Sequence, residues 1–205
     1  MRRDLLVNLS QFDDAAVIAE ARRRFTGLLA APDSLRGAGR QVVLQIVARH
    51  ADAATWDQLH ALAQKATDAT DRTRLYRDLG DSLDPVLADR ALALALTKEP
   101  PPTDAPVIIA AVGRNHPEKA FAFAMAHRAQ VEPMIEPTSR TSFFTRLAAN
   151  ARSAAILPQL NAFAATAPAS ARGEVTKAVA SITYRLEVIA KRLPQVDAWI
   201  AAHPG

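Results

Sequence analysis

Histidine is the side chain through which this 205-residue sequence could most directly do chemistry, because the chain has five histidines and no cysteine. The stretch HPEKAFAFAMAHR, residues 116–128, holds two of them and a glutamate. A zinc site needs its ligand atoms about 2.0–2.2 Å from one point. On one helix, His116 and His127 would lie about 16 Å apart along the axis, and Glu118 would point about 200° away from His116. This stretch therefore predicts a packing helix and not half of a metal site.

The other candidates for chemistry are no better placed. His50 and His203 lack a histidine or carboxylate one turn away, and His60 has only Asp57, which is a weak choice. The sequence has no H-E-x-x-H motif, no glycine-rich phosphate loop and no G-x-S-x-G motif. The Asp13–Asp14 pair is explained by a helix start, where acidic side chains favour the helix dipole. We therefore predict no catalytic residue, no metal ligand and no cofactor in this chain.

Composition indicates an all-α protein. Apolar residues make up 49% of the chain, but aromatic residues only 5%, and there are 7 glycines. Alanine and leucine, which dominate the apolar set, favour helix, whereas strands favour β-branched and aromatic residues. No apolar run reaches the ~20 residues of a membrane span, and polar residues interrupt any signal-like start. We expect a protein of the cytoplasm or periplasm with no membrane partner.

The net charge of +4 is modest, since 25 basic residues face 21 acidic ones. The densest basic run is Arg22–Arg24, whose side chains splay about 100° apart on a helix. Glu20 lies one turn before Arg24 and can pair with it. A solvated helix face therefore explains this run better than a nucleic-acid contact does.

Start and stop signals recur along the chain and predict about eleven helices. We place helix starts at Asp13 or Asp14, Thr55, Asp71 and Asp84, and a final short helix from Pro194. The segment EPPPTDAP, residues 99–106, is predicted to be a loop. The spacing gives a helix pair about every 35 residues. Such pairs bury their apolar faces by stacking, so we predict one domain over 1–205, an α-solenoid of HEAT/armadillo-like antiparallel pairs. A compact irregular bundle is the alternative.

Four segments in fixed order carry a family resemblance: ADAATWDQLHALAQKA, DRTRLYRDLGDSLDPVLADRALALAL, DAPVIIAAVGRNHPEKAFAFAMAHR and LPQVDAWIAAH. Their order and spacing resemble the C-terminal helical domain of zinc-dependent gluzincin aminopeptidases, the group of the puromycin-sensitive and endoplasmic-reticulum enzymes. The resemblance spans roughly residues 13–203. Many relatives carry Gly-Arg before an A-W-x-F segment, where this chain has Glu118–Lys119 and AFAF.

The resemblance implies a non-catalytic C-terminal domain that closes the active-site cavity of its parent enzyme and limits peptide access and length. Zinc, H-E-x-x-H and G-x-M-E-N belong to a preceding catalytic domain, which would be the main partner, with peptide substrate as the second. Arg140, Arg146 and Arg185 are candidate peptide contacts, because arginine suits a carboxylate. The alternative function is a free-standing helical-repeat module that binds protein or nucleic acid.

Overall fold

A computed structural model of the chain describes residues 2–203, apart from the side chains of residues 2, 3, 141 and 170. This part of the chain is all-α and contains no β-strand, which confirms the predicted fold class. The helices are α1 (Arg2–Gln11), α2 (Ala15–Ala30), α3 (Gly37–Arg49), α4 (Ala53–Lys65), α5 (Ala69–Leu79), α6 (Pro85–Ala95), α7 (Ala105–Asn115), α8 (Pro117–Ala126), α9 (Arg128–Val131), α10 (Arg140–Ala148), α11 (Ile156–Thr166), α12 (Ala169–Glu187) and α13 (Leu193–Ala202).

Aspartates begin four of these helices. The carboxylates of Asp14, Asp52, Asp68 and Asp84 each accept a hydrogen bond from a backbone N–H two or three residues later, at 2.7–3.0 Å. The predicted starts at Asp14 and Asp84 are confirmed. The predicted starts at Thr55 and Asp71 are wrong by one turn, because Thr55 and Asp71 supply the N–H groups that the true caps, Asp52 and Asp68, accept.

The chain divides into two compact units between Asn115 and His116. In the N-terminal unit, α1, α3, α5 and α7 pack in succession, and α2, α4 and α6 pack on α3, α5 and α7 respectively. This is the packing of a helical repeat, in which each pair buries its apolar face against the next. The interior side chains are large and almost fully buried: Leu59, Leu75, Tyr76, Leu79, Leu87, Leu92, Ile108 and Ile109.

Close approach of α5 to α7 depends on Gly80. A Cβ atom at this position would lie 2.7 Å from the Ile108 carbonyl oxygen and 2.9 Å from the Ala111 Cβ. Both are rigidly held atoms of a helix, so no flexible side chain could move away. The two helices can therefore approach this closely only because Gly80 has a hydrogen atom where other residues have a Cβ.

In the C-terminal unit, α10 packs between α8 and α12, and α11 packs on α12. Its core contains Phe121, Phe144 and Phe163, whose ring centroids are 6.4 Å apart for Phe121–Phe163 and 5.3 Å apart for Phe144–Phe163. The guanidinium of Arg128 lies 5.6 Å and 5.4 Å from the Phe144 and Phe163 centroids, a cation–π distance.

The predicted break before Pro194 is wrong. Helix α12 continues through a π-helical segment, Val188–Arg192, directly into α13, which begins at Leu193. A π turn widens the helix, and so accommodates a proline that lacks an N–H and whose ring would clash with the preceding turn. Helix α1 was not predicted. Among the described residues, no helix combines the length and apolarity needed to cross a bilayer.

Candidate functional site

A polar cluster in the N-terminal unit centres on Glu99, in the loop between α6 and α7. Its Oε1 is bonded to His60 Nε2 and accepts the hydroxyl of Tyr76 at 3.1 Å, while its Oε2 accepts the amide of Gln64 at 3.2 Å. His60 also packs on the Trp56 ring, with centroids 5.1 Å apart. Helices α4 and α5 thus converge on one carboxylate that lies 39 residues from His60 in the sequence.

The loop that carries Glu99 is fastened at both ends. Thr97 donates its hydroxyl to the Leu94 carbonyl at 2.8 Å and accepts the N–H of Glu99 at 3.2 Å. At the other end, Thr73 of α5 donates to the Asp104 carboxylate at 3.0 Å. Proline at positions 100–102 further limits the loop, because its φ angle is fixed. These contacts hold Glu99 against α4 and α5.

The cluster holds one negative charge and a neutral phenol. Partial burial acts to raise the pKa of Glu99, but hydrogen bonds from His60, Gln64 and Tyr76 outweigh it and keep the pKa below its ordinary value. Burial and the neighbouring Glu99 raise the pKa of Tyr76 to about 12. At neutral pH, Tyr76 is therefore a hydrogen-bond donor and not a base. This arrangement suits binding better than proton transfer.

A pocket of about 390 Å³ opens beside the cluster. It is lined by Gln64, Arg72, Tyr76, Lys98, Glu99 and the prolines at 100–102. Among the described residues, the buried Arg72 Nε has no hydrogen-bond partner and Lys98 has no ion-pair partner. Because His60 faces Glu99, two basic side chains remain to meet an anionic group here. Sequence reasoning missed this pocket, for which the only local signal was a charged pair followed by three prolines.

The three predicted peptide contacts lie in the C-terminal unit and have different surroundings. Arg140 donates from Nε to the Ile135 carbonyl at 3.1 Å. Arg185 donates to the carbonyls of Ala149 and Ala151 at 2.6 Å and 3.4 Å, where it satisfies carbonyl groups at and just beyond the end of α10. Arg146 is exposed on α10. Their role as peptide contacts stays a prediction.

The two histidines of the 116–128 stretch flank α8 at its N-cap and C-cap positions, as the spacing implied. Between them, Ala120, Phe121 and Ala124 are buried, so this stripe is core, as predicted. Glu118 accepts the backbone N–H groups of Arg152 and Ser153 at 2.9 Å and 3.1 Å and so holds the loop before α11. Over the part of the chain that the structure describes, no three histidine or acidic residues are grouped so as to hold a metal ion. The residues present do not fit zinc.

The arginine run is exposed, but its side chains bond to other residues of the protein. Arg23 and Arg24 both bond to Glu20 at 2.7 Å, and Arg22 donates to the His50 carbonyl at 2.9 Å. The pairing of Glu20 with Arg24 that the sequence predicted is confirmed. Glu20 thus offsets part of the positive charge of this run, and Arg22 is directed to a backbone carbonyl.

The family model of the ERAP1-like C-terminal domain matches residues 1–184. The chain belongs to this family. The match covers every helix of the N-terminal unit and most of the C-terminal unit, and α13 lies beyond it. The resemblance read from the four sequence segments is thereby confirmed, and the chain is a C-terminal domain of an aminopeptidase of the ERAP1 or puromycin-sensitive type. The Glu99 cluster and its pocket lie within the family match.

Proposed function

We propose that this chain is the non-catalytic part of a zinc aminopeptidase that closes the active-site cavity and limits which peptides enter and how long they are. The observation that carries the proposal is the family match over residues 1–184. The sequence supports the non-catalytic role, since neither H-E-x-x-H nor G-x-M-E-N occurs in it. Zinc and bond cleavage would then belong to the catalytic domain of the parent chain, which is the principal partner.

The pocket beside Glu99 supplies a contact for the far end of the peptide. A peptide's terminal carboxylate is a single anionic group, and Arg72 and Lys98 are the two basic side chains in the lining. A hydrogen bond between charged groups contributes about 1.5–3 kcal/mol in partly dehydrated surroundings. The prolines at 100–102 give the pocket a rigid apolar wall for the last side chain. Peptides too short to reach the pocket would lose this contact.

Binding to the purified chain tests this contact. We expect a peptide with a free carboxyl terminus to bind at least tenfold more tightly than the same peptide with a terminal amide, measured by fluorescence anisotropy. Arg72→Gln and Lys98→Gln should each abolish most of that difference. Lys65→Gln is the matched control, because Lys65 is exposed on α4 and does not line the pocket. Equal affinity for acid and amide would contradict the proposed contact.

Hydrolysis tests the non-catalytic part of the proposal. The purified chain, supplied with zinc and aminoacyl chromogenic substrates, should show no turnover above the zinc blank. Turnover that survives repurification and disappears on unfolding would overturn the proposal. In the parent enzyme, Arg72→Gln should flatten the dependence of rate on peptide length while leaving hydrolysis of a single aminoacyl substrate unchanged.

A further inference from the structure

A second cavity, of about 220 Å³, lies between α3 and α5 in the N-terminal unit and shares no lining residue with the pocket beside Glu99. Its lining is mainly polar and comes from two adjacent helices that pack on each other. The polar residues are Gln41, Gln45, Asp71, Arg74, Arg77 and Asp78. Such a volume equals that of roughly seven liquid waters, so the cavity is the size of a very small molecule.

Three side chains in this cavity have hydrogen-bond donors that no described residue satisfies. Gln41 and Gln45 lie one turn apart on α3, so their amides share a face of the helix. Arg74 lies on α5 opposite them, and its guanidinium makes no ion pair with a described residue. All three residues are half-buried. None of these donor atoms is fully buried, so solvent reaches them, and a ligand with acceptor oxygens can take the place of that water.

A carboxylate oxygen is also available. Arg77 donates to Asp78 at 3.1 Å and 2.7 Å, and both hydrogen bonds end on Oδ1, so Oδ2 accepts none from the described side chains. The other acid of the lining, Asp71, is already paired with Arg40 at 2.6 Å. Asp78 is only 5% exposed, and a buried carboxylate gains from an added cationic partner. The cavity lining thus combines donors from α3 and α5 with an Asp78 oxygen that accepts no hydrogen bond from a described side chain.

We propose that this cavity binds a free α-amino acid in its zwitterionic form. The carboxylate of the ligand accepts hydrogen bonds from Arg74 and the two glutamine amides, and its ammonium group donates to Asp78 Oδ2. Arg74 and Asp78 are one helical turn apart, with Cβ atoms about 5–6 Å from each other. That spacing suits a molecule whose ammonium and carboxylate groups are attached to the same carbon. Leu44 and Leu75 complete the lining and can contact a small apolar side chain.

Binding of a free amino acid in this cavity does not require the proposed function to be correct. If that function holds, however, a free amino acid is the product that the parent aminopeptidase releases. The cavity would then sense product in the N-terminal unit of the same domain. The two proposals are separable, because the carboxyl end of a long peptide and a free amino acid use different residues.

Isothermal titration of the 205-residue chain with free alanine and leucine at neutral pH tests the proposal. We expect saturable binding of at least one of them. N-acetylalanine, which lacks the ammonium group, and alaninamide, which lacks the carboxylate, should each bind at least tenfold more weakly. No saturable binding of either free amino acid would overturn the proposal, and so would a blocked compound that binds as tightly as free alanine.

Variants locate the site. Arg74→Gln, Gln45→Leu and Asp78→Asn should each weaken amino-acid binding at least tenfold, whereas Arg152→Gln and Asp197→Asn, both exposed in the C-terminal unit, should leave it unchanged. Asp78 is buried, so Asp78→Asn can impair folding. Gln45 is only partly buried, so Gln45→Leu should fold and still tests the site. Arg72→Gln should weaken peptide binding and not amino-acid binding. Unchanged affinity in folded Arg74→Gln and Gln45→Leu would contradict the assignment.

Discussion

Helices α5 and α13 carry similar apolar stripes but have very different surroundings. In α5, Leu75 and Leu79 are each 1% exposed, and the helix packs against α3, α4 and α7. In α13, Leu193, Val196 and Ile200 are 47%, 50% and 57% exposed, and none of its described residues is buried. The difference teaches that a helical period defines an apolar face, while burial of that face depends on neighbouring helices.

Specific contacts also fasten the region around α5. Trp56 donates its indole N–H to the Leu79 carbonyl at 3.1 Å, which satisfies a carbonyl at the end of α5. Just beyond, Asn115 donates to the Asp81 carbonyl at 2.8 Å and accepts from Arg49 at 2.8 Å. Four helices, α3, α4, α5 and α7, and the turn after α5 are thus joined by side-chain hydrogen bonds. The stability of the N-terminal unit should therefore be concentrated here.

The largest expected effect is the difference in unfolding free energy lost when each of the two tryptophans is replaced by alanine. Trp56→Ala should lower the free energy of unfolding by about 3–5 kcal/mol, because it removes a side chain that is 2% exposed and leaves a cavity. Trp199→Ala on α13, where the side chain is 63% exposed, should change it by no more than about 0.5 kcal/mol. Urea unfolding followed by circular dichroism measures both. Similar losses for the two variants would show that α13 is packed in solution.

The second prediction concerns pH and Asp78. Burial raises the pKa of this carboxyl from 3.8 to about 6, although Arg77 opposes the rise. A raised carboxyl pKa contributes stability that is complete below the unfolded pKa and is lost as pH rises towards 6. A shift of two units corresponds to about 3 kcal/mol.

The measurement is the difference in unfolding free energy between the wild type and Asp78→Asn across pH 4–7. That difference should fall as pH rises from 4 through the folded pKa of about 6, and it should flatten only towards pH 7. Arg77 interacts more strongly with the ionised form of Asp78, but this effect is already contained in the pKa of about 6 and does not reverse the fall. Asp197→Asn on the exposed α13 is the control and should give a flat difference. A flat difference for Asp78→Asn as well would show that Asp78 ionises normally.

The third prediction compares two glycines. Gly80→Ala should cost about 1–3 kcal/mol, since its Cβ would meet the Ile108 carbonyl oxygen at 2.7 Å and force α5 and α7 apart. Gly27→Ala, within α2 and with nothing within 4 Å of the added carbon, should stabilise the protein by about 0.5–1 kcal/mol. Thermal unfolding should therefore shift in opposite directions. A stabilising Gly80→Ala would mean that the two helices are not in close contact.

The smallest expected effect tests the start of α4. Asp52→Ala should cost about 1 kcal/mol, because the Thr55 N–H loses its acceptor at 2.8 Å. Asp197→Ala on α13 makes no such contact with the described residues and should be neutral within about 0.5 kcal/mol. Chemical denaturation measures the unfolding free energies of both variants. Equal effects would show that the cap contributes no stability.

Local sequence predicted some features of the fold well and others poorly. The Asp84–Pro85 start was predicted correctly, because an N-cap aspartate followed by proline at the first helical position is a local signal. The starts at Asp52 and Asp68 were missed by one turn, since each lies three residues before another residue that also suits a cap. Pro194 was expected to break the chain, but the π segment before it absorbs the proline without ending the helix.

The candidate site was much less accessible to sequence reasoning. The sequence offered His60 only the weak choice of Asp57 one turn away, whereas its carboxylate partner is Glu99, 39 residues later. Arg140 and Arg185 were chosen for their charge, but their described hydrogen bonds go to backbone carbonyls. The pocket around Arg72 depends on a loop that two threonines fasten to neighbouring helices. None of these pairings has a fixed spacing that a pattern could reveal.

The sequence by itself determined the all-α class, the family and the absence of the zinc-binding H-E-x-x-H motif from these residues. These properties depend on composition, local periodicity and the order of segments. Only the tertiary structure decided that α5 is buried and the stripe of α13 is not, and that Gln41, Gln45, Arg74 and Asp78 line one cavity. The reason is physical: backbone preferences act over a few residues, whereas burial and side-chain pairing are set by helices that are distant in the chain.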